Sequence, residues 1–293
     1  MEKIPVVFDM ETQDPDDYLT LILLLGHPQV KLKAVTITPG SSYQVGIVRR
    51  ALDCFGVQLP VGAYNINHSK KCVSPWHYRA YGTVQPSYNA RPGYEVLAEN
   101  CDKDTILITG APLKNIGMAI KNTSFVVKSL FAQGGFAGEG VVPRHLQIKK
   151  FNGKRMCATF NLSSDPESAL LALEYSGFPH RYFVSKNVCH RVLYDVNMHN
   201  HIDKIRKKSN SLEVIWQGMN KYLYKNNKRS GKSKKLHDPL AACCAIDSTI
   251  GSWVEVELFT EKGLWGARLS PGSNTKIIID YDHNKFIDTF SKC

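Results

Sequence analysis

The stretch FDMETQDPDD, Phe8 to Asp17, places five carboxylates in ten positions, directly after the apolar run Ile4 to Phe8. Carboxylates this close repel one another unless a cation or protons lie between them. Two acids ahead of a helix suffice for an N-cap and a first-turn charge, and Asp16 and Asp17 before YLTLILLL suit that purpose. Asp9, Glu11 and Asp14 exceed what capping needs. Several carboxylate oxygens, supplemented by a backbone carbonyl, make a hard donor set for calcium or magnesium. A second chemical pair, His237-Asp238, opens the apolar stretch HDPLAACCAID far along the chain. Neither GxGxxG nor GxxxxGK[ST] occurs, so a dinucleotide fingerprint and a P-loop are both absent.

The elements that must position these groups alternate. VVF reads as a strand, followed by the acidic turn and a helix that Gly26-His27-Pro28 ends. VKLKAVTITPG is the next strand, Gln44 to Phe55 a helix, and LPVGAYN a third short strand. A long loop, Asn65 to Pro92, is rich in Trp, Tyr, His and Gly. TILITGAP is a buried strand and NIGMAI opens the helix after it. In the C-terminal half the alternation continues, with SLFAQGG a strand, DPESALLALEYSG a helix capped by Asp165, and YFVSK a strand. This order predicts an α/β fold with a doubly wound, mostly parallel, Rossmann-like sheet, and a site at the carboxyl ends of its strands. The acidic cluster, Pro39-Gly40 and Thr109-Gly110 all fall at such ends. No repeat or linker suggests a boundary, so one domain over residues 1–293 is expected.

Composition narrows the functional classes. No apolar run approaches the roughly 20 residues of a membrane span, and MEKIPVVFD contains no signal-peptide core, which predicts a cytoplasmic protein without a membrane partner. The eight cysteines show no CxxC and read as reduced, mostly buried thiols rather than zinc ligands. The net charge of +11 admits nucleic acid, an anionic surface or a phosphorylated substrate. Much of it lies in two segments, 144–155 and 221–235. The acidic cluster would repel a phosphate backbone, so nucleic acid is not the expected partner.

Taken together, the motifs resemble the inosine–uridine nucleoside hydrolases. VVFDMETQDPDDYLTLILLL is similar to that family's DxDxxxDD motif after the first strand. TITPGSS, ITGAPLKNIGMAI, GGF followed by TFN, VCHRVL and HDPLAACCAID resemble further family stretches, nearly all along the chain. The resemblance implies a calcium-dependent N-ribohydrolase acting on a small-molecule riboside, commonly as a homodimer or homotetramer. It assigns calcium to Glu11, Asp17, Asp238 and the carbonyl of Gly110, or of Thr109 if the loop is shifted by one, with Asp9 as a supporting carboxylate. It gives Asp16 and Asn161 to the ribose hydroxyls. His237, beside a metal ligand, is the natural acid for the departing base.

The chain also departs from the family pattern. Glu11 stands where the family has aspartate, with one more residue before Asp16-Asp17, so the general base is Glu11 or Asp14. Ser41 replaces an asparagine that reaches the sugar. Thr159 replaces the glutamate that holds the 5′-hydroxyl, and the segment before it is longer and basic. Thr159, this basic segment and the lysine tract 221–235 that runs into His237-Asp238 predict a preference for a 5′-phosphorylated riboside. Trp76, Tyr78 or Tyr81 of the aromatic loop are candidates to stack on a base, with His77 a second candidate acid. Two further readings stay open: a ribose- or nucleotide-binding protein without turnover, and a nucleic-acid-binding protein on the same scaffold.

Overall fold

The computed structural model describes residues 2–225, 228–229 and 232–293; Asn226, Asn227, Ser230 and Gly231 of the basic tract lie outside the described residues, and of Lys225, Lys228 and Arg229 only the backbone is described. The strand Ile4–Met10 lies inside an eleven-stranded sheet, fourth from one edge. It is buried on both sides, and its side chains alternate between two apolar clusters. Val6, Phe8 and Met10 enter one and Val7 the other, as the two-residue period of a strand requires. The helices Pro15–Gly26, Ser42–Cys54, Asn210–Leu223 and His237–Ile246 cover the first face. Gly93–Asn100, Lys114–Asn122 and Pro166–Glu174 cover the second.

The order of strands creates the site. From Ile4–Met10 the chain first builds outward in one direction, through Val30–Ile37, Val61–Ala63 and Arg91–Pro92. It then returns to pair Ile106–Thr109 in parallel on the opposite side of Ile4–Met10, and continues outward through Ser129–Gln133, Arg181–Val184 and Thr275–Tyr281. A crevice opens at the carboxyl ends of strands where the winding reverses in this way. Register places Asp9 between Thr36 and Thr109 at that point.

Two features differ from the sequence expectation. The segment between Asn65 and Pro92 is not all loop, because Pro75–Tyr81 is helical. Seven residues are too few for a periodic signal. The helix is held by Pro75 at its start, by the Ser74 side chain accepting from the amide of Trp76, and by its burial against Asn210–Leu223. The βα alternation also stops before the C-terminus. Gly251–Glu261 runs antiparallel to Thr275–Tyr281 and forms a hairpin with Leu264–Leu269, to which Met156–Cys157 adds an edge strand. Lys262 and Gly263 both take positive φ in the two-residue turn, which matches the twist of a tight hairpin.

Candidate active site

Asp9 ends the central strand as a fully buried carboxylate. Its Oδ1 accepts from Thr36 Oγ1 (2.7 Å) and Asn115 Nδ2 (3.0 Å), and its Oδ2 accepts from Thr109 Oγ1 (2.9 Å). Burial nevertheless pushes its pKa up to about 6, against the pull of these three donors. It lies behind the cavity and ties three parallel strand ends together.

Beyond Asp9 the chain turns into the helix Pro15–Gly26 with Asp14 as N-cap and Pro15 at its first position. Asp16 and Asp17 lie in its first turn, and the helix His237–Ile246 brings Asp238 in its own first turn to the same place. The positive ends of two helix dipoles therefore converge on these acids. Carboxylate oxygens of Asp16, Asp17 and Asp238 lie within 4.8 Å of one another. Burial pushes Asp17 well above the usual carboxylate range, and the charges of Asp238, Glu11 and Asp16 add to it. Asp238 is pushed up in the same way by burial and then by Asp16. Asp17 Oδ2 accepts from the amide of Asp14 (3.3 Å), whereas its Oδ1 is buried with no donor among the described residues.

Asp16 behaves differently because a cation reaches it. Lys234 Nζ lies 2.9 Å from Asp16 Oδ1 and 2.9 Å from Asp14 Oδ2, and also donates to the carbonyl of Lys235 (2.8 Å). Asp16 Oδ2 accepts from the amides of His237 (2.8 Å) and Asp238 (3.4 Å). Burial works to raise its pKa, but the Lys234 ammonium, His237 and these bonds hold it below the ordinary range. Sequence reasoning counted Lys234 among lysines available to a substrate anion, and the structure corrects that. Its head group is buried and committed to Asp14 and Asp16. The signal that could have found it is its position, close ahead of His237 on the chain.

The cavity over this cluster measures about 470 Å³. Glu11, Asp14, Asp16, Asp17, Gly110, Asp238, His237, Thr159 and Asn161 all contribute to its lining, so the structure brings most of the sequence candidates together. Glu11 accepts only a long 3.4 Å bond from Gln13 among the described residues, and burial pushes its pKa up to about 8. Gly110 packs so closely on Asp238 that a Cβ would fall 2.6 Å from the Asp238 carboxyl carbon. The Asn161 amide nitrogen lies 3.0 Å from the Gly110 carbonyl and 2.9 Å from Gln133 Oε1. Thr159 Oγ1 is buried and has no partner among the described residues. His237 stacks on His190 at 5.0 Å between ring centroids, and burial pulls its pKa down to about 4, against the attraction of Asp16 and with Lys234 and Lys235 adding to the fall.

Three sequence candidates lie elsewhere. Ser41 is buried as the N-cap of Ser42–Cys54, donating to the Lys71 carbonyl (2.6 Å). It does not line the cavity. Trp76 and His77 sit in a ring cluster with Tyr18, and Trp76 also packs on Tyr81. Trp76 Nε1 donates to the Gly218 carbonyl (2.9 Å), and neither residue lines the cavity. The aromatic loop is thus pinned inward by its own rings. Sequence reasoning missed Gln133, Lys186 and His190, which do line it. Gln133 ends the strand Ser129–Gln133, Lys186 opens the short helix Lys186–Cys189, and His190 follows it; VCHRVL contains His190, yet the stretch by itself did not single that residue out as a site group.

An open, mostly parallel α/β sheet with a carboxylate-lined crevice at its winding reversal defines the class of protein. The chain belongs to the inosine-uridine preferring nucleoside hydrolase family, whose model matches residues 6–288. It is 28% identical to an uncharacterized protein of Aquifex aeolicus, over 94% of each chain. It is 24% identical to the pyrimidine-specific ribonucleoside hydrolase RihA of Photobacterium profundum, covering 92% of this chain and 86% of that one. Its fold matches the plant nucleoside hydrolase PpNRh1 with a TM-score of 0.74 at 15% identity, over 98% of both chains. Among the described residues no helix is long and apolar enough to cross a membrane.

Proposed function

We propose that this protein hydrolyses the N-glycosidic bond of a ribonucleoside or a related riboside, with calcium bound at the acidic cluster. One observation carries the reading: Asp17 Oδ1 is buried with no donor among the described residues, while Asp16 and Asp238 present carboxylate oxygens within 4.8 Å of those of Asp17. Three buried carboxylates converging beneath an open cavity are costly in their ionised form unless a cation lies among them. Their hard oxygens, with the Gly110 carbonyl at the rim, suit calcium. The close packing of Gly110 on Asp238 supports the fit, since any side chain there would displace the carboxylate. Asp17, Asp238 and Gly110 would hold the ion, with Glu11 beside them and Asp9 bracing the strand ends behind. When bound, such an ion supplies a water of lowered pKa and an anchor for vicinal hydroxyls.

The remaining steps belong to the side chains. Glu11 is the carboxylate free to take a proton from an attacking water, because Asp14 is committed to Lys234. Its burial makes the ionised form a stronger base. Asp16 and Asn161, both on the cavity lining, would receive the sugar hydroxyls, and the carboxylates would stabilise an oxocarbenium-like sugar as the glycosidic bond breaks. His237 is neutral at pH 7, which supports an orienting role through its stack on His190 better than proton donation. Residues 1–293 act in this reading as one domain, since both apolar clusters pack on the same sheet.

The test is release of free base from a panel of ribonucleosides, with and without chelator. Base release that needs calcium supports the proposal; none from any riboside, with calcium present, refutes it. One observation favours a second reading, a ribose-binding protein without turnover. Lys234 already places one positive charge beside the acids. Ribose binding without base release would identify it.

A further inference from the structure

The cavity wall around Thr159 carries the opposite charge to its floor. Lys186 Nζ donates to the carbonyl of Ala158 (2.8 Å), immediately before Thr159, and Lys186 lines the cavity. His190, on the same lining, has Nδ1 2.6 Å from Lys150 Nζ. An ammonium can only donate there, which leaves the His190 proton on Nε2. Burial pulls the His190 pKa down to about 3, and His237, Lys150, Lys235 and Lys186 add to the fall. Lys150 is likewise held down by burial and then by Lys235 and Lys186. Among the described residues none of Lys150, Lys186 and Lys235 has a carboxylate within 4.0 Å. Lys186 alone of the three lines the cavity, with Lys150 and Lys235 behind it, and cations gathered in this way without a counter-charge favour an anion at that wall.

Buried beside them, Thr159 Oγ1 is a hydroxyl with no partner among the described residues. A hydroxyl in that state lacks an acceptor that a ligand can supply. The stereochemistry of a riboside says which part of the ligand it is. With the 2′,3′-diol against the acidic floor, the base on C1′ and the 5′ carbon on C4′ extend from opposite corners of the ring. A nucleobase is not an anion, so the anionic substituent belongs on the 5′ carbon.

We infer that the cavity takes a riboside bearing a 5′-phosphate, bound by Lys186 and the Thr159 hydroxyl, with Lys150 and Lys235 supplying the surrounding positive charge. This rests on the riboside reading of the acidic floor. It names the substrate class that reading leaves open.

The experiment compares kcat/KM for uridine and inosine with that for their 5′-monophosphates, at about 0.01 M and about 1 M salt. The monophosphate is expected to win by about tenfold or more at low salt, as charged hydrogen bonds to phosphate should give. The advantage should shrink at high salt, and in the Lys150→Ala, Lys186→Ala double variant the ratio should approach one. A nucleoside that wins at both ionic strengths, or a ratio unmoved by the double variant, overturns the inference and leaves the hydrolase reading intact. If neither form releases base, the hydrolase reading fails, and calorimetric titration with ribose 5-phosphate and ribose then decides the inference alone. Binding of ribose 5-phosphate about tenfold tighter, lost in the double variant, sustains it; equal affinities overturn it.

Discussion

Lys234 Nζ and Asp16 Oδ1 lie 2.9 Å apart with both side chains almost fully buried, joining the end of the basic tract to the first helix. The strand Lys234–Lys235 that carries the ammonium pairs antiparallel with Leu193–Tyr194, so its position does not depend on the ion pair alone. Removing one partner of a buried pair leaves the other charged and uncompensated. Lys234→Met should therefore lower unfolding stability by about 3 kcal/mol in denaturant titration. Turnover should fall with it, because Asp16 loses the group that fixes Oδ1. An unchanged midpoint would show that the pair contributes nothing to the fold.

Calcium removal should make stability depend on pH with an unusual sign. Burial pushes Asp9 up to about 6 and Glu11 up to about 8, and Asp17 and Asp238 rise with them. The folded chain then holds protons that the unfolded chain releases. Stability is therefore fully present below the unfolded carboxylate pKa and is lost as pH climbs through the raised values. In chelator the thermal midpoint should fall as pH rises from about 5 to about 8, first through the raised value of Asp9 and then through that of Glu11. With calcium present the fall should largely vanish, since the ion replaces the protons. Identical profiles with and without calcium would count against a cation at these acids.

Gly110→Ala tests the same site without touching a charge. The added methyl would meet the Asp238 carboxylate at 2.6–2.8 Å, and that side chain is buried and short. Calcium affinity measured by titration calorimetry should drop by about tenfold or more, in line with losses from disturbed metal surroundings. Wild-type affinity in this variant would mean that Asp238 is not a ligand.

For His237 the leaving group discriminates. A neutral imidazole that orients the site should matter equally to any riboside, whereas a proton donor matters most to a poor leaving group. His237→Gln should slow a natural nucleoside and a p-nitrophenyl riboside by similar factors. A much larger loss on the nucleoside would restore His237 as the acid.

Trp76→Phe should separate packing from recognition. It removes the indole donor to the buried Gly218 carbonyl, which keeps its place in the helix ladder, at a cost of about 0.5–1.5 kcal/mol. KM should not move, because the ring faces Tyr18 and Tyr81 rather than the cavity. A raised KM with stability intact would place Trp76 against the base.

The sequence by itself determined the central strand, the acidic turn and the helix after it, since local periodicity and capping residues decide those over short distances. It also marked Asp17, Gly110 and Asp238 as partners through their motifs, and the tertiary structure brings all three to one cavity. What the chain's order could not decide was the use of each charge. Lys234 and Lys186 are both lysines close to motif residues, yet one is buried against Asp14 and Asp16 and the other faces the cavity. Trp76 and Thr159 were both candidates for the substrate, and only packing turned the ring inward and left the hydroxyl at the cavity without a partner among the described residues. Residue type fixes what a side chain can bond to. Which bond it makes depends on neighbours from distant parts of the chain, and these meet only when the sheet closes around its central strand.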